Sequence, residues 1–150
     1  MAQSLARMYV HLVFSTRYRA PLLDDSLRSD LHTYMQAILQ DHGCFVVAIN
    51  SVDDHIHLLF HLARTKSISE IVEHLKSSSS KWVKTRGNRY RDFFWQAGYG
   101  AFSVSERQVE IVKRYIAMQQ QHHNRYAYQD EYRALLAEHR IPYDERWVWD

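Results

Sequence analysis

With 150 residues, 46% of them hydrophobic, the chain is long enough to bury a core and short enough to be one domain, expected to span 1–150. The formal charge of +2 carries no bulk signature of a nucleic-acid binder, so any such reading must rest on where the basic residues lie. No apolar run reaches the roughly 18 residues of a membrane span and the start lacks a signal-peptide pattern, while the single cysteine, Cys44, excludes an internal disulfide; together these point to the cytoplasm.

In chain order, YVHLVFST (Tyr9 to Thr16) reads as a strand, followed by the basic loop RYRAPLL. Leu27, Leu31, Tyr34 and Ile38 recur at helical spacing and predict a helix from Asp25 to about Asp41, ended by the glycine of DHG. CFVVAINSV and HIHLLFHL predict two strands joined by a tight turn at Asp53 and Asp54. A second helix starts at Ser67, where Glu70 completes a capping box, and buries Ile68, Ile71, Val72 and Leu75. FFWQAGYGAFSV, aromatic and holding two glycines, predicts a turn and a strand. Ser105 and Gln108 predict a cap for a third helix running to about Gln121, and a short helix follows over Gln129 to His139. The order βαββαβ followed by helices predicts an α+β, ferredoxin-like (RRM-like) antiparallel sheet, with helices on one face and a C-terminal helix carrying a tyrosine of interest.

That tyrosine matters because of DDHIHLLFHL. On a strand, His55 and His57 share one face while Ile56 and Leu58 share the other. Such a pair is either an ordinary polar rim of a core or two ligands of a metal ion, and a competent site needs a further donor from a distant element. The third helix offers Tyr115 and Gln119, four residues apart on one face, with Ile111 and His122 along the same stripe. Gln120 and Gln121 adjoin Gln119, so periodicity does not choose among the three amides. A tyrosine with its ordinary pKa of about 10 is a poor nucleophile, but a divalent cation polarising a phosphodiester makes it a plausible attacking group. Mg²⁺ or Mn²⁺ suits phosphoryl transfer, and Zn²⁺ also favours imidazole. The bland reading of Tyr115 is packing beside Ile111 and Ile116.

YVHLVFSTRYR, DDHIHLLF, FFWQAGYGAFSVS and VKRYIAMQQQHHNR, in that order, resemble the single-tyrosine HUH transposases of bacterial insertion sequences and their repeat-associated relatives. The likeness extends over nearly the whole chain, including the tail EYRALLAEHRIPYDERWVW. It implies His55, His57 and Gln119 as metal ligands, Tyr115 as nucleophile, and Mg²⁺ or Mn²⁺ as cofactor. Tyr128, Tyr132 and Tyr143 match no catalytic tyrosine of that pattern. The resemblance further implies cleavage and strand transfer of hairpin-bearing single-stranded DNA through a 5′-phosphotyrosine, by a homodimer whose active sites can be composite.

DNA contacts are expected from Arg17 and Arg19 after the first strand, and from Lys81, Lys84, Arg86, Arg89 and Arg91 at the end of the second helix and beyond. Tyr90, Phe93 and Trp95 are candidates for base stacking or for the core. Two other readings compete: a non-catalytic ferredoxin-like nucleic-acid binding or regulatory module, and a metal-dependent phosphodiesterase that uses water in place of Tyr115.

Overall fold

The computed structural model describes residues 2–121 and 127–150. Its elements are β1 (Tyr9–Ser15), α1 (Asp25–Asp41), β2 (Phe45–Ser51), β3 (His55–His61), α2 (Ile68–Lys84), β4 (Gly100–Val104), α3 (Val109–Ala117) and α4 (Tyr128–Glu138). His122, on the expected stripe of the third helix, lies outside the described residues.

The strands form one antiparallel sheet in the order β2-β3-β1-β4, the ferredoxin-like arrangement expected from βαββαβ. β3 and β1 are its centre, and β3 is buried along nearly its whole length. Alternation therefore sends two different sets of side chains to two different faces. Leu12, Phe14, Ile56, Leu58 and Phe60 join Leu27, Leu31 and Met35 of α1 and Ile71, Val72 and Leu75 of α2 in the main core. The opposite face carries His11, Val13, His55, His57 and Leu59, and it is covered by α3 and α4.

Local signals account for most element ends. Asp24 caps α1 by accepting from Leu27 N–H, and Gly43 takes a φ of +79° after its last turn. Ser67 and Glu70 form the expected capping box of α2. The third helix differs from its sequence reading. Ser105 makes no side-chain cap; a 3-10 turn at Glu106–Gln108 leads in, and α3 ends at Ala117. Asn50 on β2 explains where it is held, donating from Nδ2 to the Ile116 carbonyl at 2.8 Å.

Tyr90, Phe93 and Trp95 are buried in the core, as are Tyr128 and Tyr132. Tyr90 donates to Asp24, and Trp95 donates to Ser79. Cys44 is also buried. Among the described residues, no helix is long and apolar enough to cross a membrane.

Candidate metal centre and nucleophile

β3 delivers His55 and His57 to the face under α3 and α4, both with no exposed surface. The last helix contributes the group that the sequence reading did not anticipate: Glu131. Its Oε1 stands 2.5 Å from His57 Nε2 and 3.8 Å from His55 Nε2. Together the three offer donor atoms within 4.8 Å of one another, all on buried side chains. Two imidazoles and a carboxylate are a common donor set for a divalent cation, so the residues present fit the ion expected from the sequence.

Glu131 reaches this position because α4 buries Tyr128, Glu131, Tyr132, Leu135 and Leu136, the spacing of a single helical stripe. An acid on that stripe, at the position where a leucine would ordinarily pack, was the available sequence signal. Tyr132 seats the helix by lying against Gly100, where a Cβ would stand 2.8 Å from its ring.

Each histidine has a partner on its other nitrogen. Asp54 Oδ1 is 2.7 Å from His55 Nδ1, and His11 Nε2 is 2.8 Å from His57 Nδ1. For His57 to offer its Nε2 lone pair to a cation, Nδ1 must carry the proton and donate to His11. Burial, followed by the neighbouring His57, lowers the His11 pKa to about 3, so His11 is neutral and able to accept. Burial alone would also lower His55, but the Asp54 hydrogen bond and the Glu131 carboxylate outweigh it and raise its pKa to about 9. The same pairing works in reverse on Glu131. Burial would raise its pKa, and contact with His55 and His57 holds it well below the usual carboxylate range.

Tyr115 lies in the same chain over this group, its ring centroid 5.8 Å from that of His57 and 6.2 Å from that of His11. Burial and the Glu131 charge hold the phenol above its ordinary pKa, while a hydrogen bond with Gln119 pulls the other way. Gln119 is fully buried beside it. Tyr115 and Glu131 both line a cavity of about 890 Å³ between α3, α4 and β4. Tyr128 instead packs its ring at a tilt of 35° against His55, 4.6 Å between centroids, and donates to Gln96, a structural role.

The basic residues divide by their partners. Arg86 pairs with Asp30, Arg89 with Asp24 and Arg91 with Asp92. Arg17 and Lys84 lie over aromatic rings, Arg17 against Tyr18 and Phe94 and Lys84 against Phe94. Arg19 is half-buried and Lys81 exposed.

The sequence profile described as "Transposase IS200 like" matches residues 4–119. The ISDra2 transposase TnpA of Deinococcus radiodurans is 24% identical over 114 residues, covering 73% of this chain and 81% of that protein. Two solved structures share the fold. A candidate transposase from Deinococcus radiodurans superposes with a TM-score of 0.62 at 24% identity, covering 79% of this chain and 98% of the other. A REP-associated tyrosine transposase bound to a REP hairpin gives 0.60 at 14% identity, covering 82% and 74%. Glu131 falls beyond the matched residues 4–119, whereas His55, His57, Tyr115 and Gln119 fall within them.

Proposed function

The chain belongs to the IS200-like transposase family, and from that premise we propose that it cuts and rejoins single-stranded DNA with Tyr115 as the nucleophile. Membership and the His–His–Glu group support a DNA-cleaving transposase activity in general. The observation that carries the finer reading is the position of Tyr115, beside His57 and on the wall of a cavity that also reaches Glu131.

In this reading the Tyr115 oxygen attacks the phosphorus of a phosphodiester, and the bond from phosphorus to the 3′-oxygen breaks. The departing 3′-oxygen takes up a proton in place of the one that the Tyr115 hydroxyl gives up, and the 5′ end stays on the protein as a phosphotyrosine. Attack by another 3′-OH reverses the step. One phosphodiester is exchanged for another, so no ATP is needed.

The side chains divide the work. Asp54 and His11 fix the rings of His55 and His57. Glu131 and Gln119 act on the phenol from either side of its proton balance. Mg²⁺ or Mn²⁺ would be held by His55, His57 and Glu131, with Gln119 adding an amide oxygen; two imidazoles favour Mn²⁺. Such an ion, when bound, supplies positive charge to the phosphate oxygens as negative charge develops on them.

The substrate is proposed to be a single strand carrying a hairpin, a choice supported by the hairpin in the related complex. Arg17, Arg19, Lys81, Lys84, Arg86, Arg89 and Arg91 are the proposed phosphate contacts. A homodimer is part of the proposal, each copy placing its own tyrosine by its own histidines or exchanging that helix with its partner.

The test is incubation with Mn²⁺ and an end-labelled, hairpin-bearing single strand, then denaturing electrophoresis and peptide mapping of any adduct. A covalent adduct on Tyr115, lost in Tyr115→Phe, is expected. The same adduct in Tyr115→Phe would refute the nucleophile, and tight binding without any adduct would favour a non-catalytic DNA-binding module.

A further inference from the structure

We propose that the loop following β1 and the ring of Phe94 form a stacking site for one unpaired base of single-stranded DNA, with Arg17 and Lys84 placed for its flanking phosphate. The inference rests on the DNA-processing reading above and adds where the strand is gripped. Tyr18 is 78% exposed and Phe94 49% exposed. The Arg17 guanidinium lies 5.1 Å from the Tyr18 ring centroid and 5.8 Å from that of Phe94, and Lys84 Nζ lies 4.0 Å over Phe94. Flat π-faces interleaved with cations are the combination that binds a base and its backbone together.

An exposed aromatic alone would mean little, but the backbone here is unusual. Tyr18 has a φ of +59° and Arg19 a φ of +56°, so two consecutive side-chain-bearing residues sit in the left-handed region. An aromatic residue there is a strained outlier that persists only when its surroundings impose it. They do so with several bonds. Thr16 N–H donates to the Asp54 carbonyl at 2.9 Å, Thr16 Oγ1 to the Ala20 carbonyl at 2.8 Å, and Arg19 N–H to the Thr16 carbonyl at 3.0 Å. Arg17 N–H donates to the Phe94 carbonyl at 2.8 Å, which fastens the two aromatic segments to each other.

Glycine at position 18 would take this turn without strain. The fold carries the cost of a tyrosine there without burying its ring. Its position adds the reason. Asp54, whose carbonyl anchors the loop, also holds His55 through its carboxylate, so the stacking site is fixed to the candidate metal centre through one residue.

The test uses the full chain and hairpin-bearing single strands with 2-aminopurine at successive unpaired positions, at one fixed salt concentration. The intact protein is expected to quench the probe at one position by stacking. Tyr18→Gly is expected to weaken binding of that strand about tenfold while leaving thermal stability equal or higher, because it removes the ring and the strain together. Phe94→Ala is expected to weaken binding similarly. Wild-type affinity in both variants, no position-dependent quenching, or equal losses on a fully paired duplex or an acidic peptide would overturn the site. The DNA-cleavage reading fails separately, by the absence of a covalent adduct in a protein that still quenches the probe.

Discussion

His57 Nε2 stands 2.5 Å from the Glu131 carboxylate, joining the centre of the sheet to the last helix. The contact makes Glu131 the natural third donor of the buried group, and its charge is what Gln cannot replace. Glu131→Gln keeps the volume and is expected to weaken Mn²⁺ binding at least about tenfold, as read by calorimetry or by the loss of free-ion electron spin resonance signal. Tighter binding in the variant would mean that the carboxylate competes with the ion for the histidines.

Glu131 also faces His55, 3.8 Å away, and together with the Asp54 hydrogen bond to His55 it sets a pH dependence in the metal-free protein. His55 is raised from 6.5 to about 9, so its contribution to stability is complete below 6.5 and is lost as pH rises through about 9. Glu131 is held below its ordinary value of 4.5, so its contribution is complete above that pH and is lost on further acidification. The pair therefore stabilises most between about 4.5 and 6.5. Thermal unfolding of the wild type, minus that of Glu131→Gln, should show its largest difference in this window when scanned across pH without metal. A difference that does not vary with pH would refute the coupling.

The histidine pair was legible because strand alternation is a strict rule: HIHLLFH can place His55 and His57 only on one face, opposite Ile56, Leu58 and Phe60. The capping box of Ser67 and Glu70 and the end of α1 at Gly43 were equally local and equally readable, whereas the cap expected at Ser105 is not formed. Glu131 was harder to read, because its place on an apolar helical stripe marks it as buried but does not say that the stripe packs over the histidines. His11 was hidden for the same reason. It stands on the histidine face of β1, but only the pairing of β1 with β3 brings its ring to His57. The aromatic residues divide likewise by neighbours on the sequence: Phe93 and Trp95 turn into the core, and Phe94 between them turns out.

Lys76 extends the support of the site into the loop before β4. Its ammonium donates to the carbonyls of Gln96 at 2.7 Å, Ala97 at 3.2 Å and Gly98 at 2.5 Å, and lies 5.0 Å from the Phe14 ring centroid. Gln96 in turn accepts through Oε1 from Ser15 N–H and from the Tyr128 hydroxyl, tying β1 to α4. Lys76→Met preserves the stem on Phe14 and removes the donors. It is expected to cost about 2 kcal/mol in chemical denaturation, the scale of charged hydrogen bonds lost to part-buried acceptors. A cost within experimental error would show that water replaces the ammonium at those carbonyls.

Gly100 tests whether α4 positions the metal centre or merely covers it. A Cβ at this residue would stand 2.8 Å from Tyr132 Cε2, 2.9 Å from its oxygen and 3.0 Å from Phe102 Cζ. The Tyr132 ring has little freedom to swing away, since Tyr128 lies at 5.5 Å and Trp149 at 5.8 Å between ring centroids. Gly100→Ala must therefore displace α4 from β4, at an expected cost of about 1–3 kcal/mol. Glu131 precedes Tyr132, so the same displacement moves its carboxylate off His57, and Mn²⁺ affinity should fall together with stability. Tyr132→Leu removes the ring that the new methyl meets, and adding it to Gly100→Ala should cost less than it costs alone, a favourable coupling in a double-mutant cycle. If Gly100→Ala lowers stability but leaves Mn²⁺ affinity unchanged, α4 is a cover, and Glu131 is not held in place by the packing of Tyr132.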